Sequence, residues 1–261
     1  MSNPSVHLAS RDFTGVYRRL IDLKAWDDST VVGWLEDDFH HFGMTLVHDG
    51  VRITDLRVAE PRHPWSACPG AMKPIQDLKG VPLFGRCSEV GQHVDMRQQC
   101  THLFDLAGLL IAHAFHRRDH HRYHAQVYRL DSVQPQAPRN WLRATLHRDD
   151  IQEMEWDVDG RTIQAPPAAA GRSIDHGFRE WTETMDEGQA EYAWVMRRAV
   201  FVSLGSMIVM DKPYIADDMP MGTVCHNYQP EQRKSSVYLL NSIRRFDAGP
   251  EGMLSHVHTK P

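Results

Sequence analysis

Apolar residues at 103, 106, 107, 110, 111 and 114 recur at helical spacing within Thr101–Phe115, which predicts a helix with one core-facing side. A longer stretch, from about Phe178 to Met207, has apolar positions at 181, 185, 192, 195, 196, 199 and 202 and predicts the longest helix. Elsewhere the period shortens. Val31–Trp34 and Met44–His48 alternate or cluster β-forming residues, Asp49-Gly50 is a hairpin turn signal, and Val51, Ile53, Leu56 and Val58 continue as a strand. Trp141–His147 and Ile151–Val158 predict a second hairpin. Ser132–Asn140 and Ala165–Arg172 lack periodicity and read as loops, and Glu60–Pro69 as a proline-rich corner followed by short helical material.

The hairpins align at an offset of one hundred residues: Thr45-Leu46 with Thr145-Leu146, Asp49 with Asp149, and Val58 with Val158. Chance similarity and true duplication both account for so few identities. The expected fold is α+β, with two antiparallel hairpin-plus-helix lobes, a candidate pseudo-repeat, around a central cleft. The expected organisation is an N-terminal lobe over 1–130, a second lobe over 141–245, and a flexible tail over 246–261 that ends near His256 and His258.

Composition narrows the function classes. The 261 residues suffice for a substantial core, and 41% hydrophobic with 24% charged residues is ordinary for a globular chain. A net charge of −5 provides no basic field for a phosphate backbone, so no nucleic-acid partner is expected. The apolar stretches Leu106–Ala114 and Ala199–Met210 fall short of the ~20 residues of a membrane helix. Met1–Asp12 has no apolar run of signal-peptide length, and Cys68, Cys87, Cys100 and Cys225 therefore read as reduced thiols of a cytoplasmic protein.

The strongest chemical signal is Cys100-Thr101-His102-Leu103 at the start of the first helix. With Thr101 as N-cap, the helix dipole would lower the Cys100 pKa; a small buried thiol and a satisfied His102 is the competing reading. His40 and His41 follow Glu36-Asp37-Asp38, and carboxylates beside a histidine favour its charged form, although a solvated turn has the same composition. Trp65 and Cys68 occupy the rigid corner 61–70, as a pocket wall or a packed turn. Cys225-His226-Asn227-Tyr228 follows a Gly/Pro turn, with His226 and Tyr228 as a candidate acid–base pair and Asn227 as an oxyanion donor, or as plain surface loop. His113, His116, His120, His121 and His124 would share a helix face if the helix ran on, but Arg117, Arg118 and Arg122 oppose a cation there. No dinucleotide, P-loop, nucleophile-elbow or paired Cys-x-x-Cys motif is present.

From Phe13 to Phe115 the chain resembles a bacterial family of unknown function, domain-of-unknown-function family 2889. The resemblance rests on Cys100-Thr101-His102-Leu103, on Phe13, Gly15 and Arg18, on His40, and on Cys68-Pro69. The family usually has Thr-Asp-Thr-Lys where this chain has Leu35-Glu36-Asp37-Asp38, so the role of the acidic run stays open. The element order is also similar to NifU-like iron–sulfur scaffolds, which would make Cys68, Cys87 and Cys100 counterparts of cluster ligands, though at tighter spacing. The family's association with bacteria that degrade aromatic compounds implies an aromatic substrate.

Three functions follow. The first is a cofactor-independent carbon–carbon lyase releasing formaldehyde from a lignin-derived aromatic compound. Its catalytic residues would be His40, His102, His226 and Tyr228, with Trp65, Cys68, Cys100 and Asn227 binding substrate. The second is a zinc or iron carrier using Cys and His ligands. The third is a non-catalytic small-ligand module. A second copy of the chain stays open as a partner.

Overall fold

A computed structural model describes residues 12–261; residues 1–11, on which the export reading rests, lie outside it. Its frame is one open, antiparallel sheet of eight strands. The strands are β1 (Val16–Asp27), β2 (Thr30–Asp37), β3 (His41–His48), β4 (Ile53–Arg62), β5 (His120–Arg129), β6 (Trp141–Arg148), β7 (Ile151–Asp159) and β8 (Thr162–Ala165). They lie in the order β4-β3-β2-β1-β5-β6-β7-β8, so both expected hairpins belong to the same sheet.

Three of these strands escaped the sequence pattern: the four-residue β8, β5 and β1. β5 contains His120, His121 and His124, whose expected helical face therefore does not exist. Its own signal is period two, with Tyr123, Ala125 and Val127 buried. β1 places Tyr17, Arg19, Ile21 and Leu23 on its inner face, and the charged Arg19 interrupts the apolar alternation. The hundred-residue offset holds for β3 and β6 but slips by two in their partner strands. Thr45 faces Arg57, whereas Thr145 faces Glu155, because the first turn is longer.

Two helices cover one face. Helix α1 (Thr101–Phe115) crosses β1–β3, and its residues other than Asp105 and Phe115 are buried. Close approach explains two glycines. A Cβ on Gly33 would run into Leu106 and Leu110 of α1, and one on Gly108 would meet the Cys87 carbonyl. The long helix expected over 178–207 is broken into α2 (Phe178–Thr182) and α3 (Glu187–Ser203). Asp186 accepts a bond from the Gln189 N–H and starts α3 anew. α3 crosses β5–β7 on the same face as α1. Ile21 and Tyr123 are register partners there, and the Tyr123 hydroxyl donates to Glu191 of α3.

On the opposite face the C-terminal segment, where the sequence predicts a flexible tail, packs over β1 and β2. Phe246, Met253 and Leu254 bury against Leu20, Val32 and Trp34, and the Trp34 indole N–H donates to the Thr259 carbonyl at 2.9 Å. Each such apolar side chain contributes about 1.5–3 kcal/mol on burial. Three intermittent apolar residues suffice where a complementary sheet face waits for them.

Candidate functional site

Strand alternation divides the acidic run between the two faces. Glu36 points toward the C-terminal segment, accepting the Leu254 N–H at 2.6 Å and the Arg62 guanidinium at 3.1 Å. Asp37, one residue on, points toward α1 and pairs with Arg19 at 2.6 Å. All three acidic residues are buried, so the run is no solvated turn. Arg62 fastens it by donating to the backbone carbonyls of Asp37, Asp38 and His40.

Around Asp37 the structure gathers His40 and His102. The Asp37 Oδ1 accepts the backbone N–H groups of Phe39 and His40, each at 2.9 Å, and lies 3.0 Å from His40 Nδ1. His102, carried by the first turn of α1, has its Nε2 3.8 Å from Asp37 Oδ2 and its Nδ1 3.7 Å from Cys100 Sγ. The His40 and His102 rings stack with centroids 3.6 Å apart and a 28° interplanar angle, against Phe42. The Tyr17 hydroxyl is buried beside the same carboxylate.

Electrostatics assigns the protons. Burial acts to raise the Asp37 pKa, but the hydrogen bond from His40 and the charge of the Arg19 guanidinium hold it well below the usual carboxylate range. An ionised Asp37 can only accept, so His40 Nδ1 donates and its Nε2 keeps a free lone pair. Burial lowers the His40 pKa below its ordinary value, outweighing Asp37; the expected elevation does not occur. Burial takes His102 further down, helped by His40 and Arg19. Two neutral imidazoles thus stack on one carboxylate. The Cys100 expectation is also reversed. Cys100 rather than Thr101 caps α1, and burial pushes its thiol up to about 12 where the helix dipole was expected to lower it.

Asp37, His40 and His102 each offer a ligand atom, all within 4.8 Å of one another, a donor set a transition metal could use. The fit is poor. Nearly parallel stacked rings send their in-plane lone pairs side by side rather than toward one point, and Arg19 already occupies Asp37.

The other sequence candidates form an adjoining patch. Cys68 is close enough to Cys100 and Cys225 for its thiol to respond to both, and Cys100 to Cys225, whereas Cys87 packs among residues of α1 and α3. The His226 N–H donates to the Gln99 carbonyl at 2.8 Å, and its ring lies against Gly70. Tyr228 packs edge-on to Trp65 beside Cys68, and burial raises its pKa strongly. Asn227 accepts from the Ser236 hydroxyl at 2.5 Å, a structural bond. All four cysteines are free. Glu60, half-buried with His63 at 3.9 Å and felt by Cys68 and Cys100, has its carboxyl pushed up to about 7 by desolvation.

Sequence reasoning passed over Arg19 and Glu60 and treated Asp37 only as part of a run. Arg19 left a signal: it sits at a core position in the period-two series 17, 19, 21, 23, where a buried charge demands a partner.

No helix among the described residues is long and apolar enough to cross a membrane. A search of the curated proteins finds no match to the chain. Residues 12–116, which contain β1–β4, α1 and the whole Arg19–Asp37–His40–His102 cluster, match the family model described as "Protein of unknown function (DUF2889)".

Proposed function

We propose that the protein is a cofactor-independent carbon–carbon lyase that releases formaldehyde from a hydroxymethyl-bearing aromatic compound of lignin type. The observation that carries the reading is the buried Asp37–His40 pair with His102 stacked on it. In a retro-aldol step His40 Nε2 takes the substrate hydroxyl proton, the carbon–carbon bond breaks, formaldehyde leaves, and the electron pair stays on the ring-conjugated carbon. Asp37 stabilises the imidazolium so formed. Glu60, with its carboxyl pushed up to about 7 by burial, supplies the proton to carbon, in place of a member of the expected His226–Tyr228 pair. Solvent then returns both groups to their starting states. Phe39 and Phe42 beside His40 support an aromatic substrate, with ring centroids at 6.2 and 5.7 Å.

The test incubates the full chain, without added metal, with hydroxymethyl-bearing aromatic dimers and traps formaldehyde. His40→Gln and Glu60→Gln each lower kcat by about 10²–10⁴-fold. No formaldehyde from any substrate, or undiminished release in both variants, removes the proposal.

A second reading, a zinc or iron site, draws on the close donors of Asp37, His40 and His102. One tightly held metal per purified chain, lost in His102→Ala, would put it first. We also read the two hairpin-plus-helix halves as a duplication about the β1–β5 seam, supported by the mirrored strand order.

A further inference from the structure

At the seam between the halves, beneath α1 and α3, lies a small cavity of about 20 Å³, above the roughly 10–15 Å³ that one water needs. Arg19 and Ile21 of β1, Phe104 and Asp105 of α1, and Trp194 and Arg198 of α3 are among its walls. Ser88, which can donate or accept, also lines it, but Arg19 and Trp194 bring an excess of donors. Arg19 Nη1 is used by Asp37, but Arg19 Nε and Nη2 and the Trp194 indole Nε1 have no acceptor among the described residues. Asp105, the acidic wall residue, is already engaged through both oxygens by Arg198, at 2.5 and 3.2 Å.

Three buried N–H donors without an acceptor are costly, and groups of this kind in a native protein have a partner. A water that accepted from them would bring two protons of its own, for which the walls offer the Ser88 hydroxyl and the Asp105 carboxylate already bonded to Arg198, whereas an acceptor-only occupant brings none. An acceptor-only occupant answers the imbalance. The charge balance allows it: Arg19 is paired with Asp37 and Arg198 with Asp105, so no unpaired carboxylate of these walls opposes an anion. We propose that this cavity binds a small monovalent anion, a halide or a carboxylate of formate size, held by Arg19 and Trp194. The volume limits the occupant to roughly one to three heavy atoms. The site is independent of the lyase reading, since none of its argument uses His40, His102 or Glu60.

The test uses the full chain. Its melting temperature is titrated with sodium chloride, bromide and formate against sodium sulfate at equal ionic strength, and crystals soaked in millimolar bromide are measured at the bromine absorption edge. The expected result is a saturable rise with a millimolar midpoint in at least one monovalent salt, absent in sulfate, and an anomalous peak in the cavity. Displacement of that peak by formate assigns a carboxylate; its persistence assigns a halide. Trp194→Phe keeps the ring and removes the donor, and shifts the midpoint about tenfold upward. Arg19→Lys abolishes the peak; should it fail to fold, Trp194→Phe decides. Equal shifts in all salts, density only at molar bromide (an adventitious ion only), or an unchanged midpoint in Trp194→Phe overturns the proposal.

Discussion

Asp37 with His40 and Asp149 with His121 are the same chemical pair, a carboxylate on an imidazole Nδ1, at 3.0 and 2.6 Å. The longer contact is the consequential one. Asp37 is fully buried, shares its charge with Arg19 and a second histidine, and holds His40 in one tautomer. Asp149 sits at a turn with its side chain 40% exposed, where water competes for every bond. Distance alone therefore says little about a carboxylate–histidine pair; what surrounds it decides whether it stores reactivity.

That contrast can be broken by substitution. Asp37→Asn keeps the shape but leaves buried Arg19 without its counter-charge, and should cost about 3–5 kcal/mol of stability in urea unfolding. Asp149→Asn should cost no more than about 1 kcal/mol. Similar losses in the two would remove the distinction. A next-largest effect comes from the other side of the acidic run: Leu254→Ala opens the packing over Trp34 and should cost about 2–4 kcal/mol in the same assay. A loss under about 0.5 kcal/mol would mean that the C-terminal segment does not brace the sheet.

Acid gives a smaller effect with a defined sign. Burial lowers the pKa of His41, His113 and His124 to about 4 each. Between about 6.5 and 4 the unfolded chain binds protons there that the folded chain refuses, so stability falls as pH falls through that window. Asp38 and Glu60, whose carboxyls burial raises to about 7, act the other way over the same window, and solvent screening tempers every contribution, so the melting temperature should drop by only about 2 °C from pH 7 to pH 5. A rise over that range would contradict the burial of these rings. Smallest of all, His121→Gln should leave both formaldehyde release and stability within about 0.5 kcal/mol of the parent.

Helix α1 and the second hairpin were legible because each has a clean period over its own length: Thr101–Phe115 forms as read, and Trp141–Arg148 with Ile151–Asp159 differ from expectation by a residue. β1 and β5 were not, because Arg19 and the histidines of β5 interrupt their apolar alternation, and the pairing of these two strands with each other across about a hundred residues is one that no local pattern specifies. The site divides in the same way. His40 and His102 stood out by residue type and by their places beside a turn and a helix start. Their pKa directions did not, because burial decides them, and burial depends on α1 crossing β2 and β3. Asp37 was visible as a charge, but its selection over Glu36 and Asp38 needed the strand alternation that turns it, with Arg19, toward the helix.

The central claim is that His40 is a neutral base with its Nδ1 proton on ionised Asp37. Nitrogen-15 NMR of the histidine side chains, recorded across a pH titration and assigned with a His40→Gln variant, tests it most directly. The account predicts an Nδ1–H tautomer for His40 that stays neutral down to a midpoint below 6.5, the ordinary histidine value. An Nε2–H tautomer, or a midpoint above 6.5, would contradict it.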